Sequence, residues 1–333
     1  MAGDSRTVSL MRAFLTAPSE EIVARIRGIS STGLDDKLRE SSLRGAQVED
    51  AVRFWGAFRR DDEWTSLLAS LVGQVETERG RFDQPLAIWD DLEESGPAGR
   101  LLFIYLFAIC QEGTAEYLRA LGCPEDVVRR TFGVLGRHVG IHGRKFATTG
   151  VDAGWWMIPT LRGEVVHIGS LQFHRVTLGI GTLSPHPWYE EDETAKLGVG
   201  FHRGDPSVGI HIPEGTDLSP QALDATFQRA RSVLSRMWPV HQRRLGTCQT
   251  WMLDDRLREH LPTTSNILRF QERFNLLPVW REDDDDVLEF VFREAKGNWV
   301  QVVPSTAVQA AVAAVLANGG HWRDRTGWLD FKA

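Results

Sequence analysis

The sequence predicts an α+β protein, a helical domain over residues 1–148 followed by a strand-bearing domain over 149–333. Three observations carry this. Before about residue 150 apolar residues recur at helical spacing, and no strand pattern of convincing length is present. After Gly150 short alternating runs take over. Between two such runs lies a well-marked helix start, Ser219-Pro220, an N-cap residue followed by proline at the first helical position.

In the first part, Ser19-Glu20-Glu21 opens a short amphipathic helix with Ile22, Val23 and Ile26. Gln47 to Phe58, Trp64 to Val75 and Pro85 to Leu92 read as further helical segments. Arg100 to Cys110 reads as a buried helix, continued from Thr114 to Leu121 after a break at Gly113, with Gly122 as the stop. Pro124-Glu125-Asp126 opens a helix with an acidic first turn that reaches about His138. In the second part, Trp155 to Leu161, Val165 to Ile168 and Leu171 to Leu178 read as strands, with Arg162-Gly163-Glu164 as a hairpin turn. Ser184 to Glu193 is a loop. Val208, Ile210 and Ile212 alternate around Gly209 and His211. Thr247 to Leu253 is the next strand, Leu276 to Trp280 and Val287 to Phe292 close the set, and Thr306 to Leu316 is a helix.

A net charge of −7 argues against sequence-independent nucleic-acid binding, which needs a basic surface to neutralise phosphates. Three cysteines, Cys110, Cys123 and Cys248, have no paired metal-ligand spacing and suit a reducing compartment. The start, MAGDSR, lacks the basic flank and apolar core of a secretion signal. The most apolar run, Leu101 to Cys110, is too short to cross a bilayer. These readings point to a cytoplasmic protein without a membrane partner. Twelve tryptophans, concentrated after residue 150, imply an aromatic-lined core or cleft there. His138 and His142 are four apart, but Gly140 and Gly143 weaken the helix that would align them, so no metal site is expected. No nucleophile elbow, phosphate-binding loop or dinucleotide fingerprint is present.

The junction of the Val208 strand with the Ser219 helix is the expected active site. A helix start offers unpaired N–H groups and a positive dipole end. His211 is a candidate proton acceptor, or a hydrogen-bonded structural histidine. Glu214 is a second candidate base, or a carboxylate favoured by the helix start. Cys248 is a candidate covalent nucleophile, or a small buried hydrophobe. Trp251, with Phe173, is a candidate wall of a substrate pocket. Asn266 can hydrogen-bond a ligand amide or cap a helix, and Arg269 can reach a phosphate or form a surface ion pair.

Four segments carry a resemblance: HIGSLQFHRV (167–176), GIHIPEGTDLSPQALDATFQRAR (209–231), CQTWMLDDRLREHLPTTSNILRFQERF (248–274) and LANGGHWRDRTGW (316–328). With LLFIYLFAICQEGTAEYLRALGCPEDVVRRTFGVLGRHV (101–139), they resemble a bacterial acyltransferase-like family with an N-terminal helical domain and a Gcn5-like (GNAT-like) C-terminal domain. The resemblance implies a mixed, mostly antiparallel sheet flanked by helices. It implies acyl transfer from a thioester, acyl-CoA as cosubstrate or an acyl carrier protein, to the amine of a small molecule. By the same resemblance Ile212, Thr216, Ser219, Asn266 and Arg269 would hold the donor. One departure stands out. Where the family's Q/R-x-x-G-x-G/A loop holds the CoA pyrophosphate, this chain has Pro213-Glu214-Gly215-Thr216-Asp217-Leu218-Ser219, with one glycine, no arginine and two acids. An acyl or amide hydrolase, or a non-catalytic binding module of the same fold, is the alternative.

Overall fold

The computed structural model describes residues 15–82, 92–178, 202, 204–240, 245–292 and 303–331. The expected helix over 85–92 and loop over 184–193 lie outside the described residues, apart from Leu92. The chain divides into two compact units, Met1–Val166 and His167–Ala333.

The first unit is helical: α1 Glu20–Gly28, α2 Ser31–Glu40, α3 Ala46–Phe58, α4 Asp62–Glu78, α5 Gly96–Ala120, α6 Glu125–Phe146 and the short α7 Met157–Leu161. Ser19 caps α1 by accepting from the Ile22 N–H at 3.2 Å, as its position in the sequence requires. α5 is the axis of the unit, packing on α2, α3, α4, α6 and α7. Its run from Leu101 to Ala108 is buried without interruption. By length and composition α5 could cross a bilayer, yet 72% of its apolar window is buried inside the protein, as in a core helix. Tyr105 on α5 stacks edgewise with Phe58, ring centroids 4.7 Å apart, and donates its hydroxyl to the Ala51 carbonyl at 2.8 Å.

Two expectations fail here for identifiable reasons. Gly113 does not break α5. A Cβ there would come within 2.8 Å of the Arg79 guanidinium, so the glycine admits a close neighbour and leaves the helix intact. Trp155 to Leu161 is helical, a 3-10 turn running into α7, and Arg162-Gly163-Glu164 connects that helix to a strand. Nearly every residue of the stretch is buried, so its apolar run has no exposed face from which a period could be read. Arg162, 1% exposed, ends this segment between Glu78 at 2.7 Å and Glu164 at 2.6 Å.

The sheet has six strands: β1 Val165–Ile168, β2 Leu171–Thr177, β3 Pro206–His211, β4 Leu245–Thr250, β5 Asn275–Glu282 and β6 Arg323–Asp330, in the order β1-β2-β3-β4-β6-β5. β2–β3, β4–β6 and β5–β6 are antiparallel, and β3–β4 is parallel. A parallel pair needs a crossover, and α8, Pro220–Met237, supplies it. Ser219 caps α8 and Pro220 opens it, as read from the sequence. After β4 come two short helices, α9 Leu257–His260 and α10 Asn266–Gln271. Between β5 and β6 lie α11 Asp284–Phe292 and α12 Ala307–Ala317.

α11 replaces the strand expected over Val287 to Phe292. Asp283 accepts from the Asp286 N–H at 3.0 Å, and Asp284, Asp285 and Asp286 fill the first turn, where the helix dipole favours acids. Val287, Leu288, Val291 and Phe292 then face one apolar cluster with Val312 and Trp322. The strand that pairs with β5 is β6, whose alternation is masked in the sequence by Arg323 and Arg325.

Candidate active site

The site grows from the parallel pair. Among the described residues the β3–β4 register consists of Val208–Gly246 and Gly209–Thr247. Both strands run on past it, β3 to His211 and β4 to Thr250. Both C-terminal ends therefore run past the pairing, with His211 and Gln249 each two residues beyond the last pair.

Alternation sorts the side chains around these strand ends onto two faces. Phe173, Ile210, Gly246, Cys248 and Gly327 share one. Phe173 is fully buried and meets Phe227 of α8 and Phe331 edge-to-face, with centroids 6.3 and 5.8 Å apart. A Cβ on Gly246 would fall 2.9 Å from Phe331, so the close approach of this face requires glycine. The other face carries Gln172, His174, Ser207, His211, Thr247, Gln249, Thr326 and Asp324. Ser207 and Thr247 hydroxyls lie 3.4 Å apart across the parallel pair. The His174 and His211 rings tilt toward each other with centroids 5.5 Å apart. Gly209 sits between them, its absent side chain leaving room 3.4 Å from the His174 Cβ and 3.5 Å from the His211 Nε2.

Electrostatics separates the groups on this face. Burial, reinforced by His174, holds the His211 pKa down to about 3, so the imidazole is neutral at neutral pH. Asp324 is buried, and its carboxyl is pushed up to about 6, opposed by the hydrogen bond from Gln249 Nε2 and by Arg281. Arg281 lies 3.7 Å from Asp324 but 2.5 Å from Asp283, its nearer partner. Asp286 on α11 is also pushed up to about 6, by burial and then by Asp283 and Asp324.

Beyond β3 the chain turns at Pro213-Glu214-Gly215-Thr216. The Thr216 N–H bonds the Pro213 carbonyl at 3.2 Å, and Gly215 takes φ +73°, as the third position of a type II turn demands. The Thr216 hydroxyl donates to the Pro213 and Ser170 carbonyls. Glu214 is exposed and Ile212 half-buried. Asp217 does not face away from the helix start. Its carboxylate accepts from the Ser219 N–H at 2.8 Å, and this bond lowers its pKa. The Ser219 hydroxyl in turn accepts from Ala222 N–H at 3.4 Å. An arginine is nonetheless present here. Arg273, just after α10, donates to the Pro220 carbonyl at 3.3 Å and pairs with Asp224 at 2.8 Å.

The structure thus brings His211, Glu214, Ile212, Thr216 and Ser219 together along one strand end, turn and helix start. Cys248 and Phe173 lie on the apolar face. Cys248 is 1% exposed, and burial followed by Asp324 drives its thiol pKa far upward, the reverse of what a nucleophilic thiolate needs. Trp251 belongs to the apolar cluster with Leu257, Leu268, Val312 and Trp322. Asn266 and Arg269 are exposed on α10, whose N-cap is Ser265. His138 and His142 turn their Nδ1 atoms to the backbone carbonyls of Asp152 and Thr148, and no His/Cys/Asp/Glu group suited to a metal occurs among the described residues. Gln172, His174, Asp324 and Arg273 escape the sequence reading. Alternation in Leu171 to Val176 signals the first two, and nothing local signals the others.

Comparison with known proteins divides the chain near residue 164. Residues 33–163 match the N-acyltransferase N-terminal domain, and residues 165–329 match the GNAT-like C-terminal domain. No curated protein matches. Solved structures are similar along nearly the whole chain. An acyltransferase in complex with decanoyl-CoA and teicoplanin is 26% identical, with a TM-score of 0.77 over 97% of this chain and 94% of that one. An acyltransferase in complex with CoA and 10C-teicoplanin gives 26% identity and a TM-score of 0.78 over 97% and 94%. One in complex with decanoyl-CoA gives 26% and 0.75 over 95% and 89%.

Proposed function

Because the chain belongs to the acyltransferase-like family that joins an N-acyltransferase N-terminal domain to a GNAT-like C-terminal domain, we propose that it transfers an acyl group from acyl-CoA to the amine of a small molecule. The observation that carries this reading is the end of the β3–β4 parallel pairing at Gly209–Thr247, past which both strands run on to His211 and Gln249 on one face. Acyl-CoA is the donor that the similar acyltransferases hold, and free acyl-CoA is preferred here to a carrier-bound thioester. Teicoplanin in one such complex supports an amine-bearing small molecule of that type as acceptor.

In this reading the acceptor nitrogen attacks the thioester carbonyl, the C–S bond breaks, and the CoA sulfur leaves as thiolate to be protonated. The nitrogen sheds one proton. His211 is neutral at working pH and can accept a hydrogen bond from the attacking nitrogen, while its low basicity makes it a weak proton acceptor. Glu214, exposed at the strand end, is the second acceptor within the same segment. The deeply buried, high-pKa Cys248 thiol favours direct transfer over an acyl-cysteine.

Donor phosphates need cations and N–H groups. With the Ser219 N–H occupied by Asp217, Arg273 and Arg269 supply the charge that the Pro213–Ser219 loop lacks. Isothermal calorimetry with CoA and decanoyl-CoA tests the donor. Micromolar binding is expected for the wild type, and Arg273→Ala weakens it about tenfold, the loss of one charge-assisted contact. Turnover is then followed with teicoplanin as amine. Absence of CoA binding sinks the donor assignment. Release of CoA at an equal rate without any amine replaces transfer by hydrolysis.

A further inference from the structure

The polar row on the sheet continues past His211 to a pair that the reaction above does not use. Gln249 lies at the open end of β4, two residues past the last parallel pair, and its Nε2 donates to Asp324 Oδ2 on β6. We propose that Gln249 holds the acyl acceptor at the open end of β4, and that Asp324 is the positioning residue that fixes its amide. The proposal rests on the acyl-transfer reading and adds to it the group that engages the acceptor.

An ionised carboxylate only accepts hydrogen bonds, so the nitrogen side of the Gln249 amide must face Asp324. One N–H is spent there. The carbonyl oxygen and second N–H are then directed away from Asp324, set to accept from an amine or amide N–H and to donate to a hydroxyl or carbonyl. Gln249 is half-buried, whereas Asp324 beneath it is buried, which is the order expected of a contacting group and its support. Asp324 is costly as a purely structural element. Arg281 gives its shorter contact to Asp283, so the closest partner of the buried Asp324 carboxylate is an uncharged amide. A buried carboxylate whose nearest partner is a neutral, half-buried amide is a candidate functional group.

The groups facing Asp324 are Gln249 from β4, Arg281 from β5, Asp283 before α11 and Asp286 within it. Burial and then Asp283 raise the Asp324 pKa against the lowering effects of Gln249 and Arg281, so Asp324 takes up a proton as pH falls through about 6. A protonated carboxyl can donate to the amide oxygen, and Gln249 is then free to flip and present the wrong atoms. Acceptor binding therefore weakens on the acid side while donor binding does not.

The test uses the full-length protein with decanoyl-CoA as donor and teicoplanin as amine. Gln249→Ala raises the KM for the amine about tenfold and leaves the calorimetric affinity for CoA within about twofold, the signature of one lost acceptor contact. Asp324→Asn, an amide that can flip with its partner, raises the amine KM at neutral pH and abolishes its further rise below pH 6, whereas Asp324→Glu restores the acid-side dependence. Equal loss of CoA affinity and amine KM, or no change in either, overturns the proposal. Should the wild type bind decanoyl-CoA yet acylate no amine, the functional reading fails, and the pair is judged by nitrogen-15 NMR. A Gln249 side-chain amide that titrates with a midpoint near 6 in the wild type and not in Asp324→Asn upholds the positioning; a pH-independent resonance overturns it.

Discussion

The two faces of the C-terminal sheet are made by alternate residues of the same strands and do opposite work. Phe173 and His174 are neighbours in sequence. One is sealed between Phe227 and Phe331, the other stands beside His211 on a row of polar groups. On the apolar side, large rings fill space left by Gly246, and the energy is that of close packing. On the polar side, Gly209 leaves space between two imidazoles, and buried Asp324 is held chiefly by an amide. Ring packing thus marks one face and buried polar groups the other, and the pleat separates them by one residue.

Truncation of Phe173 is the sharpest way to test that division. Phe173→Ala removes a fully buried ring and its two edge-to-face contacts. It costs about 3–5 kcal/mol in urea unfolding, with kcat per folded molecule kept within a few-fold. If activity per folded molecule falls as much as stability does, the faces are not separable. Filling the polar face has the opposite profile. Gly209→Leu places a side chain against His174 and His211, and turnover drops about a hundredfold, the cost of misplacing reacting groups by an ångström. Its urea midpoint shifts by less than that of Phe173→Ala.

The polar face also predicts two opposed pH dependences of stability. The folded-state pKa of His211, about 3, lies below its unfolded value of 6.5, so the unfolded chain binds the extra proton. Its contribution is complete above pH 6.5 and is lost as pH falls toward 3, with a slope of at most about 1.4 kcal/mol per pH unit. Asp324, raised from 3.8 to about 6, binds the extra proton in the folded state. Its contribution is present below pH 3.8 and is lost as pH rises through 6. Between pH 4 and 6 the two slopes oppose each other. Asp286, also raised to about 6, adds a second falling slope, so stability in chemical denaturation across that window should fall with pH for the wild type, be nearly flat for Asp324→Asn, and fall more steeply for His211→Gln. Parallel curves for all three would remove both groups from the account.

How much of this was legible in the sequence follows from the same faces. The apolar alternation around Phe173 and Ile210 and the Ser219-Pro220 start of α8 were readable, because packing and capping have local signatures. α11 read as a strand because Val287 to Phe292 is short and apolar. β6 was unreadable as a strand because Arg323-Asp324-Arg325-Thr326 is polar throughout and carries no apolar alternation before Gly327. Asp324 was therefore invisible as a site residue. Its role depends on Gln249, 75 residues away, reaching it across a strand pairing that no local pattern encodes. Arg273 was missed for the same reason. Its approach to Pro220 is set by where α10 meets α8, not by spacing in the loop where an arginine was sought.

The smallest effect separates a helix start that only folds from one that also binds. Ser219 caps α8 through Ala222 N–H, and its own N–H is taken by Asp217. Ser219→Ala removes the cap and should cost about 1 kcal/mol of stability. Its backbone N–H remains, still bonded to Asp217, so a donor held by Arg273 and the turn should bind as before. Asp217→Asn acts differently. It keeps an acceptor for the Ser219 N–H and removes a negative charge from the exposed approach to the helix start. CoA affinity should then rise about twofold to fivefold at low salt and less at high salt, since exposed charges are screened beyond a Debye length. A rise in CoA affinity with Asp217→Asn and none with Ser219→Ala would place the phosphates at this helix start through charge. The reverse pattern would move the phosphates elsewhere and leave Ser219 and Asp217 as a capping device alone.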